Sequence, residues 1–348
     1  MKRLLGKNIG VDLGTANVII YMEGRGIVLT EPSVVAYNTK IGRMCAVGRR
    51  AYDMLGRNPD SIRVIRPMKD GVVSDFTATR QMLSRFLAKV CRNAIFKPNI
   101  IVCMPSSVTN LERRTVLDMI TAAGAGKACL MEEPLAAAIG AGGDLTRAEG
   151  TMVVDIGGGT TDIAVITMGS IAVSKSIKVA GNLMNEAIVR QVRREKDVVI
   201  GERTAEEIKK QIGCAVLPEA ELGLTVKGKR YISGMPATVE VTSTDCYLAM
   251  REYIEAIGEA VRGVLEITPP ELVGDIGSSG IVLTGGGALL REMATAIQKK
   301  TGIKTRLATD PVNCVAKGIG LALGDLDMLA EQGYIFKTRE EITGYVEN

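Results

Sequence analysis

Two carboxylates stand where this sequence offers chemistry. Asp12 and Asp155 each end an apolar run, and each is followed by a glycine-containing turn and a hydroxyl residue. In 152–166, Gly157, Gly158 and Gly159 follow Asp155, then Thr160 and Thr161, then a second apolar run. That order predicts a strand, a tight turn and a returning strand. Three consecutive glycines strip the turn of side chains, so its N–H groups can approach a phosphate closely and point at it. Asp155 stands where a carboxylate can hold a hydrated Mg²⁺ beside that phosphate. Taken alone, the stretch fits an ordinary glycine-rich hairpin equally well.

The pattern occurs twice. Residues 9–21 repeat it, with Asp12, Gly14, Thr15, Ala16 and Asn17 between two apolar runs. Two copies far apart in one chain predict two similar domains that face each other, each offering a phosphate hairpin to one nucleotide. A third loop, 280–290, reads as a strand, the glycines Gly285, Gly286 and Gly287, and a helix beginning near Ala288. Bare backbone there lets a flat base or ribose lie against it, and a helix N-terminus favours nearby negative charge.

In this order the three loops resemble the actin and sugar-kinase ATPase superfamily. Within it the chain is similar, nearly end to end, to the MreB family of bacterial actin homologues. Glu31-Pro32-Ser33-Val34-Val35-Ala36, Arg66-Pro67-Met68-Lys69-Asp70-Gly71-Val72, 132–140 and 201–206 look like that family too. The resemblance implies an α/β fold of two similar domains around a nucleotide cleft, each with a smaller inserted subdomain. The first half would comprise 1–37, 66–148 and 312–348, with 38–65 as its outer subdomain. The second would comprise 149–181 and 243–311, with 182–242 as its outer subdomain.

The resemblance also implies ATP and Mg²⁺, the metal near Asp12 and Asp155 and mostly water-mediated. Gly14 to Asn17 and Gly157 to Gly159 would hold phosphates; Ala205, Glu206, Glu207 and Ile208, with Gly285 to Ala288, would hold the nucleoside. Glu133 would orient and polarise the attacking water, helped by Thr160 or Thr161. Hydrolysis would be slow and would time the turnover of head-to-tail filaments. Ile95 and Phe96 would form a hydrophobic membrane loop on a cytoplasmic protein peripheral to the inner face of the cell membrane. Its partners would be itself, that membrane and membrane-bound cell-wall morphogenesis proteins, in the service of rod shape. The helix from Asn110 to Ala123 would be a lateral contact, although Met119 and Ile120 also fit ordinary core positions.

Rival functions on the same fold are weaker. A small-molecule kinase needs a second-substrate pocket with its own base, and no further acidic cluster is placed for one. A heat-shock type chaperone needs a long substrate domain after the ATPase core, and the chain ends at Asn348.

The bulk composition agrees. The 348 residues are 46% hydrophobic and 24% charged, which predicts two or three globular domains. Net charge is +4 with no long basic block, so a nucleic-acid partner has no electrostatic support. Seven scattered cysteines, without a C-x-x-C pair, indicate neither a disulfide framework nor a zinc site and suit a reducing cytoplasm. Absence of histidine excludes His-based triads and His metal ligands. No apolar run approaches the ~18 residues that span a bilayer. Residues 1–8 are short and basic without a signal-peptide core.

Several elements must position these groups. Strands are predicted at 26–29, 33–37, 99–104 and 128–131, with a short helical pattern near 49–55. Residues 77–91 place Met82, Leu83, Phe86, Leu87 and Val90 on one helical face. A helix capped by Thr109 or Asn110 runs to Ala123 and stops at Gly124. Another opens at Glu132-Glu133-Pro134, where proline fits the first turn and one acid offsets the helix dipole. A polar, glycine-rich hinge is expected over 141–150. Further helices are expected at 183–195, from a Thr204/Glu207 capping box, at 244–267 and at 291–301. Residues 222–241 read as strands broken at Lys227-Gly228-Lys229 and at 233–236. A last helix from Asp310-Pro311 through Val315, Ile319 and Leu323 crosses back to the first half.

Overall fold

The computed structural model describes residues 6–92, 95–143, 148–324 and 335–340. The first sheet begins as the first hairpin demands. Strand β1 (Asn8–Leu13) turns at Gly14 into β2 (Asn17–Met22), and β3 (Gly26–Pro32) follows antiparallel. Strands β4 (Val35–Asn38) and β5 (Arg43–Val47), the single-turn helix α1 (Arg49–Tyr52) and β6 (Ile62–Ile65) form a small outer unit. The chain returns through the short ribbon β7 (Met68–Lys69) and β8 (Val72–Val73).

Helix α2 (Phe76–Val90) buries Met82, Leu83, Phe86 and Leu87, the face its spacing predicts, and Asp75 caps it through the Ala78 N–H. Strand β9 (Asn99–Met104) is buried at every residue, as a central parallel strand should be. Thr109 and Glu112 form a reciprocal capping box at the start of α3 (Asn110–Ala123), and Met119 and Ile120 are buried. Strand β10 (Lys127–Glu132) leads directly into α4 (Glu133–Gly140), with Pro134 in its first turn. The sheet order is β10-β9-β1-β2-β3, with β1 parallel to β9 and antiparallel to β2.

The second sheet repeats the plan. Strands β11 (Thr151–Ile156), β12 (Thr161–Thr167) and β13 (Ser170–Ile177) run as an antiparallel meander. Then come α5 (Gly181–Lys196), β14 (Val198–Val199), α6 (Glu202–Ile212), β15 (Gly223–Arg230) and β16 (Pro236–Thr242). Helix α7 (Ser243–Ile267) buries Met250, Ile254, Ile257, Val261 and Val264. After α8 (Pro270–Ser279) the chain enters the sheet again as β17 (Ile281–Thr284), followed by α9 (Met293–Thr301) and β18 (Thr305–Leu307). The order β13-β12-β11-β17-β18 mirrors the first sheet. Helix α10 (Cys314–Leu323) packs on α4 and over β1 and β2, carrying the chain back to the first sheet.

Three local readings need correction. The chain does not break at Lys227-Gly228-Lys229, because β15 runs through it; glycine there admits the backbone of Val199, which a side chain would obstruct. Helix α6 starts at Glu202 after Gly201, not at a Thr204 cap. Its first turn is held from outside, by Arg66 on Glu202 at 2.6 Å and Asp53 on Arg203 at 3.8 Å. Helix α7 stops before Pro269, and Pro270 opens α8, since a proline fits a helix's first turn. The third glycine loop enters a 3₁₀ turn, Gly287–Leu289, rather than an α-helix. Residues 1–5, 144–147 of the expected hinge, 93–94 of the expected membrane loop, and 325–334 and 341–348 lie outside the described residues.

Candidate functional site

The two hairpins close on one cavity of about 510 Å³. Its walls include Asp12, Gly14, Thr15, Ala16 and Asn17 from the first hairpin, and Asp155, Gly157, Gly158, Gly159 and Thr160 from the second. Glu133 enters from the start of α4, Gly285, Gly286 and Gly287 from the third loop, and Glu206 from α6. Strand register explains the convergence. Asp12 lies beside Cys103 of β9, while Asp155 lies between Asp162 of β12 and Thr284 of β17. Both carboxylates are therefore carried to the same ends of their sheets, where the parallel strands stop.

Four acids crowd this end of the cleft. The Thr284 hydroxyl donates to Asp155 Oδ1 at 2.8 Å, and the Ser106 N–H donates to Asp162 Oδ1 at 3.3 Å. Burial, then the neighbouring Asp155, pushes Asp12 up to about 7. The same two causes push Asp162 up to about 7. Glu133 is raised well above the usual carboxylate range, by burial and by the charges of Asp155, Asp162 and Asp12, and it shares a hydrogen bond with Asp155. Burial raises Asp155 as well, against the bonds from Thr284 and Glu133. Like charges this close resist joint ionisation until a cation joins them. The donor set fits a hydrated Mg²⁺. Among the described residues no three acids or cysteines converge enough to wrap a metal by themselves. Mg²⁺ ordinarily takes one or two carboxylates, keeps several waters and leans on substrate phosphates.

The remaining sequence-selected residues divide. Thr160 faces the cavity, whereas Thr161 is fully buried and its hydroxyl donates to Val179 O at 2.7 Å. Of 205–208 only Glu206 lines the cavity. Ala205 and Ile208 pack into the core of the second half, and Glu207 faces solvent. A contiguous run on a helix cannot point one way, because each residue turns by about 100°. The residues that share Glu206's face are Lys209 and Lys210, and both line the cavity. Lys209 is depressed to about 8, burial outweighing nearby Glu206, and its ammonium donates to Gly181 O at 2.8 Å. Ala288 likewise turns into the core, while Leu289 and Leu290 line the cavity. Glu132 is bound to Arg113 at 3.1 Å. Ile95 and Phe96 are 93% and 54% exposed and do not line the cavity.

Sequence reasoning missed Gly181, Asn182 and Asn185 of α5, and Pro311, Val312 and Val315 near α10. Only the Ala180-Gly181-Asn182 helix start carried a local signal. Across the outer cleft, the Tyr52 hydroxyl donates to Glu206 Oε2 at 2.7 Å, a contact no sequence pattern announces.

The profile of the family described as MreB/Mbl protein matches residues 6–331. The chain is 43% identical to the cell shape-determining protein Mbl of Bacillus subtilis, over 94% of this chain and 99% of that one. It is 44% identical to the cell shape-determining protein MreB of Escherichia coli, over 93% and 95%. The crystal structure of MreB 5 of Spiroplasma citri bound to AMPPNP superposes with a TM-score of 0.90 at 37% identity, covering 95% of this chain and all of that one. The subunit of the MamK double helical filament shares the fold, with a TM-score of 0.79 at 22% identity. On the match across nearly its whole length, the chain belongs to the MreB/Mbl family of actin-like, cell shape-determining proteins.

Proposed function

We propose that this chain is an ATP-binding, filament-forming actin-like protein that works on the inner face of the cytoplasmic membrane and organises cell-wall synthesis and rod shape. The observation that carries the reading is the closure of two unlike hairpins, each with its own carboxylate, on a single cavity. Solved relatives in that cleft's family hold ADP and AMPPNP. Gly14 to Asn17 and Gly157 to Gly159 offer backbone N–H groups to phosphates, and Lys209 and Gly285 to Gly287 flank the nucleoside. Asp12 and Asp155 would hold Mg²⁺ through water, and the ion would neutralise phosphate charge. Glu133 and Thr160 both line the cavity, and the two would orient a water toward the terminal phosphate. A small-molecule kinase is not favoured.

High-speed pelleting with and without Mg-ATP, beside a kinase assay on common sugars, tests the reading. ATP-dependent pelleting without sugar phosphorylation is expected. A chain that stays monomeric at all concentrations while phosphorylating a sugar overturns it.

Membrane attachment is proposed at Ile95 and Phe96. An exposed apolar pair in a loop between α2 and β9, flanked by Arg92 and Lys97, suits an anionic lipid surface. Among the described residues no helix is long and apolar enough to cross a membrane. Burying both side chains in the interface contributes roughly 3–5 kcal/mol per subunit before ordering costs. One subunit is thus held weakly and a filament firmly, through avidity. Ile95→Ser with Phe96→Ser should abolish co-pelleting with anionic vesicles and leave ATP binding intact. Vesicle pelleting equal to that of the parent would remove this loop as the anchor.

A further inference from the structure

One polar side chain in the cavity wall has no structural reason to be there. Asn185 lies within α5, four residues after Gly181, and is 4% exposed. Its Oδ1 is buried without a hydrogen-bond partner. Asparagine is a poor residue for a helix interior, because its amide competes with the backbone. A bond to the carbonyl four residues earlier could use only the amide NH₂ and would leave Oδ1 open, because a carbonyl is itself an acceptor; that carbonyl, Gly181 O, accepts from Lys209 Nζ at 2.8 Å. A buried acceptor left open costs more than most single contacts contribute. The position belongs to a leucine or an alanine unless something in the cavity completes the amide.

The place of Asn185 narrows what that something is. At the start of the same helix, the Gly181 and Asn182 N–H groups bond to Gly157 O and Gly158 O of the second phosphate hairpin, at 3.2 and 2.8 Å. Lys209 of α6 donates to Gly181 O, and Glu206 and Lys209 line the same cavity as Asn185. Asn185 is thus one helical turn beyond the residue that joins the second phosphate hairpin to the α6 wall assigned above to the nucleoside. A phosphate oxygen is an acceptor and gives nothing to an amide oxygen. Sugar hydroxyls donate and accept, and an amide offers one of each whichever way it is turned. We propose that Asn185 reads the ribose hydroxyls of the bound nucleotide and makes the site selective for ribo- over deoxyribonucleotides. This rests on the nucleotide-binding reading above.

The test is a comparison of ligands rather than of a single affinity. Binding of ATP, 2′-deoxy-ATP, 3′-deoxy-ATP and ITP is measured by calorimetry for the parent, Asn185→Ala and Asn185→Leu. Asn185→Leu keeps the volume without the amide, and any variant that binds ATP is folded. The parent should prefer ATP over at least one deoxy form by roughly 3–10-fold, the worth of one hydrogen bond. Both variants should bring that ratio close to one while the ATP-to-ITP ratio stays as in the parent. A parent indifferent to the sugar overturns the proposal without any variant. So do variants that keep the parent's ratio, or that change the ITP ratio instead, which would assign Asn185 to the base. A parent that binds no nucleotide defeats the broader reading, and that outcome is distinct from the others.

Discussion

The two phosphate hairpins share a plan and differ in what they present. The first carries side chains at its turn, Thr15, Ala16 and Asn17, around a single glycine; the second is bare through Gly157, Gly158 and Gly159. The cause is their contact with each other. A Cβ added at Gly158 would lie 2.7 Å from the Cβ of Ala16. One added at Gly159 would lie 2.6 Å from Thr15 Oγ1 and 3.1 Å from the Cα of Asp70. Thr15 is itself fixed, accepting from the Gly71 N–H at 3.0 Å. Gly158 and Gly159 thus have a steric role of their own. They let the first hairpin carry side chains by keeping the second clear, so that the two turns fit against each other.

The carboxylates differ in the same sense. Asp155 holds Thr284, is tied to Glu133, and is the charge that raises Asp12 and Asp162. Asp155→Ala should therefore weaken Mg-ATP on the order of 100-fold, as loss of one member of a buried charged set does. Asp12→Ala should cost visibly less. Equal losses, or an unchanged Mg-ATP affinity for Asp155→Ala, would break the asymmetry. The change should shrink when binding is measured in EDTA.

Glu133 comes from the start of α4 and Thr160 from the second hairpin, so the proposed positioning of water draws on both sheets. Glu133→Ala should cut ATP hydrolysis by about 100-fold and leave ATP affinity within about threefold, because orienting water is a transition-state function. Single-turnover rates beside equilibrium binding separate the two. Equal turnover in mutant and parent would move the role to another residue.

A double-mutant cycle tests the steric argument directly. Gly158→Ala should cost about 1–3 kcal/mol of ATP binding through overpacking. Ala16→Gly in the same chain should recover most of it, since the two methyl positions collide with each other. Gly159→Ala should gain nothing from Ala16→Gly, because its obstruction is Thr15 and the backbone of Asp70. Additive effects at positions 16 and 158 would mean that the glycines serve phosphate approach alone.

What the sequence made legible follows how local each cause is. Strand–Asp–glycine–strand is a local pattern, and both hairpins and the third loop lie where it puts them. The Thr109 cap of α3 and the long helix over 244–267 were equally local, although the Glu112 half of the capping box went unread. Helix α6 was not, because Arg66 and Asp53, distant in sequence, hold its first turn. Of the site residues expected on it only Glu206 lines the cavity, for a geometric reason. A contiguous stretch, 205–208, was read where helical spacing requires Glu206, Lys209 and Lys210. Thr161 was indistinguishable from Thr160 by type, and only the alternation of β12 sends one into the sheet and the other into the cleft. Asn182 and Asn185 obey helical spacing, yet nothing local marks that face of α5 as a wall.

The smallest effect belongs to the far rim of the cleft, where neither hairpin reaches. There Tyr52 of α1 is flanked by Arg203, Arg49 and Arg66, whose guanidinium carbons lie 4.8, 5.4 and 5.9 Å from its ring centre. Its hydroxyl donates to Glu206 at 2.7 Å, so a residue of the first half's outer unit touches one that lines the nucleotide cavity. Burial and then the Glu206 bond push the Tyr52 phenol up to about 12, so it stays a donor through the physiological range. Tyr52→Phe keeps the ring and its cations and deletes only that donor. Glu206 retains Lys210 at 2.6 Å and is not left unpaired, which limits the loss to about 1 kcal/mol. Because the bond spans the opening of the cleft, the loss should appear as faster nucleotide release, by roughly fivefold at most, with hydrolysis of bound ATP unchanged. Stopped-flow displacement of a fluorescent nucleotide reads the first quantity and single turnover the second. If release from Tyr52→Phe is as slow as from the parent, the hairpins alone hold the nucleotide and the rim contact joins the outer units without guarding the cavity.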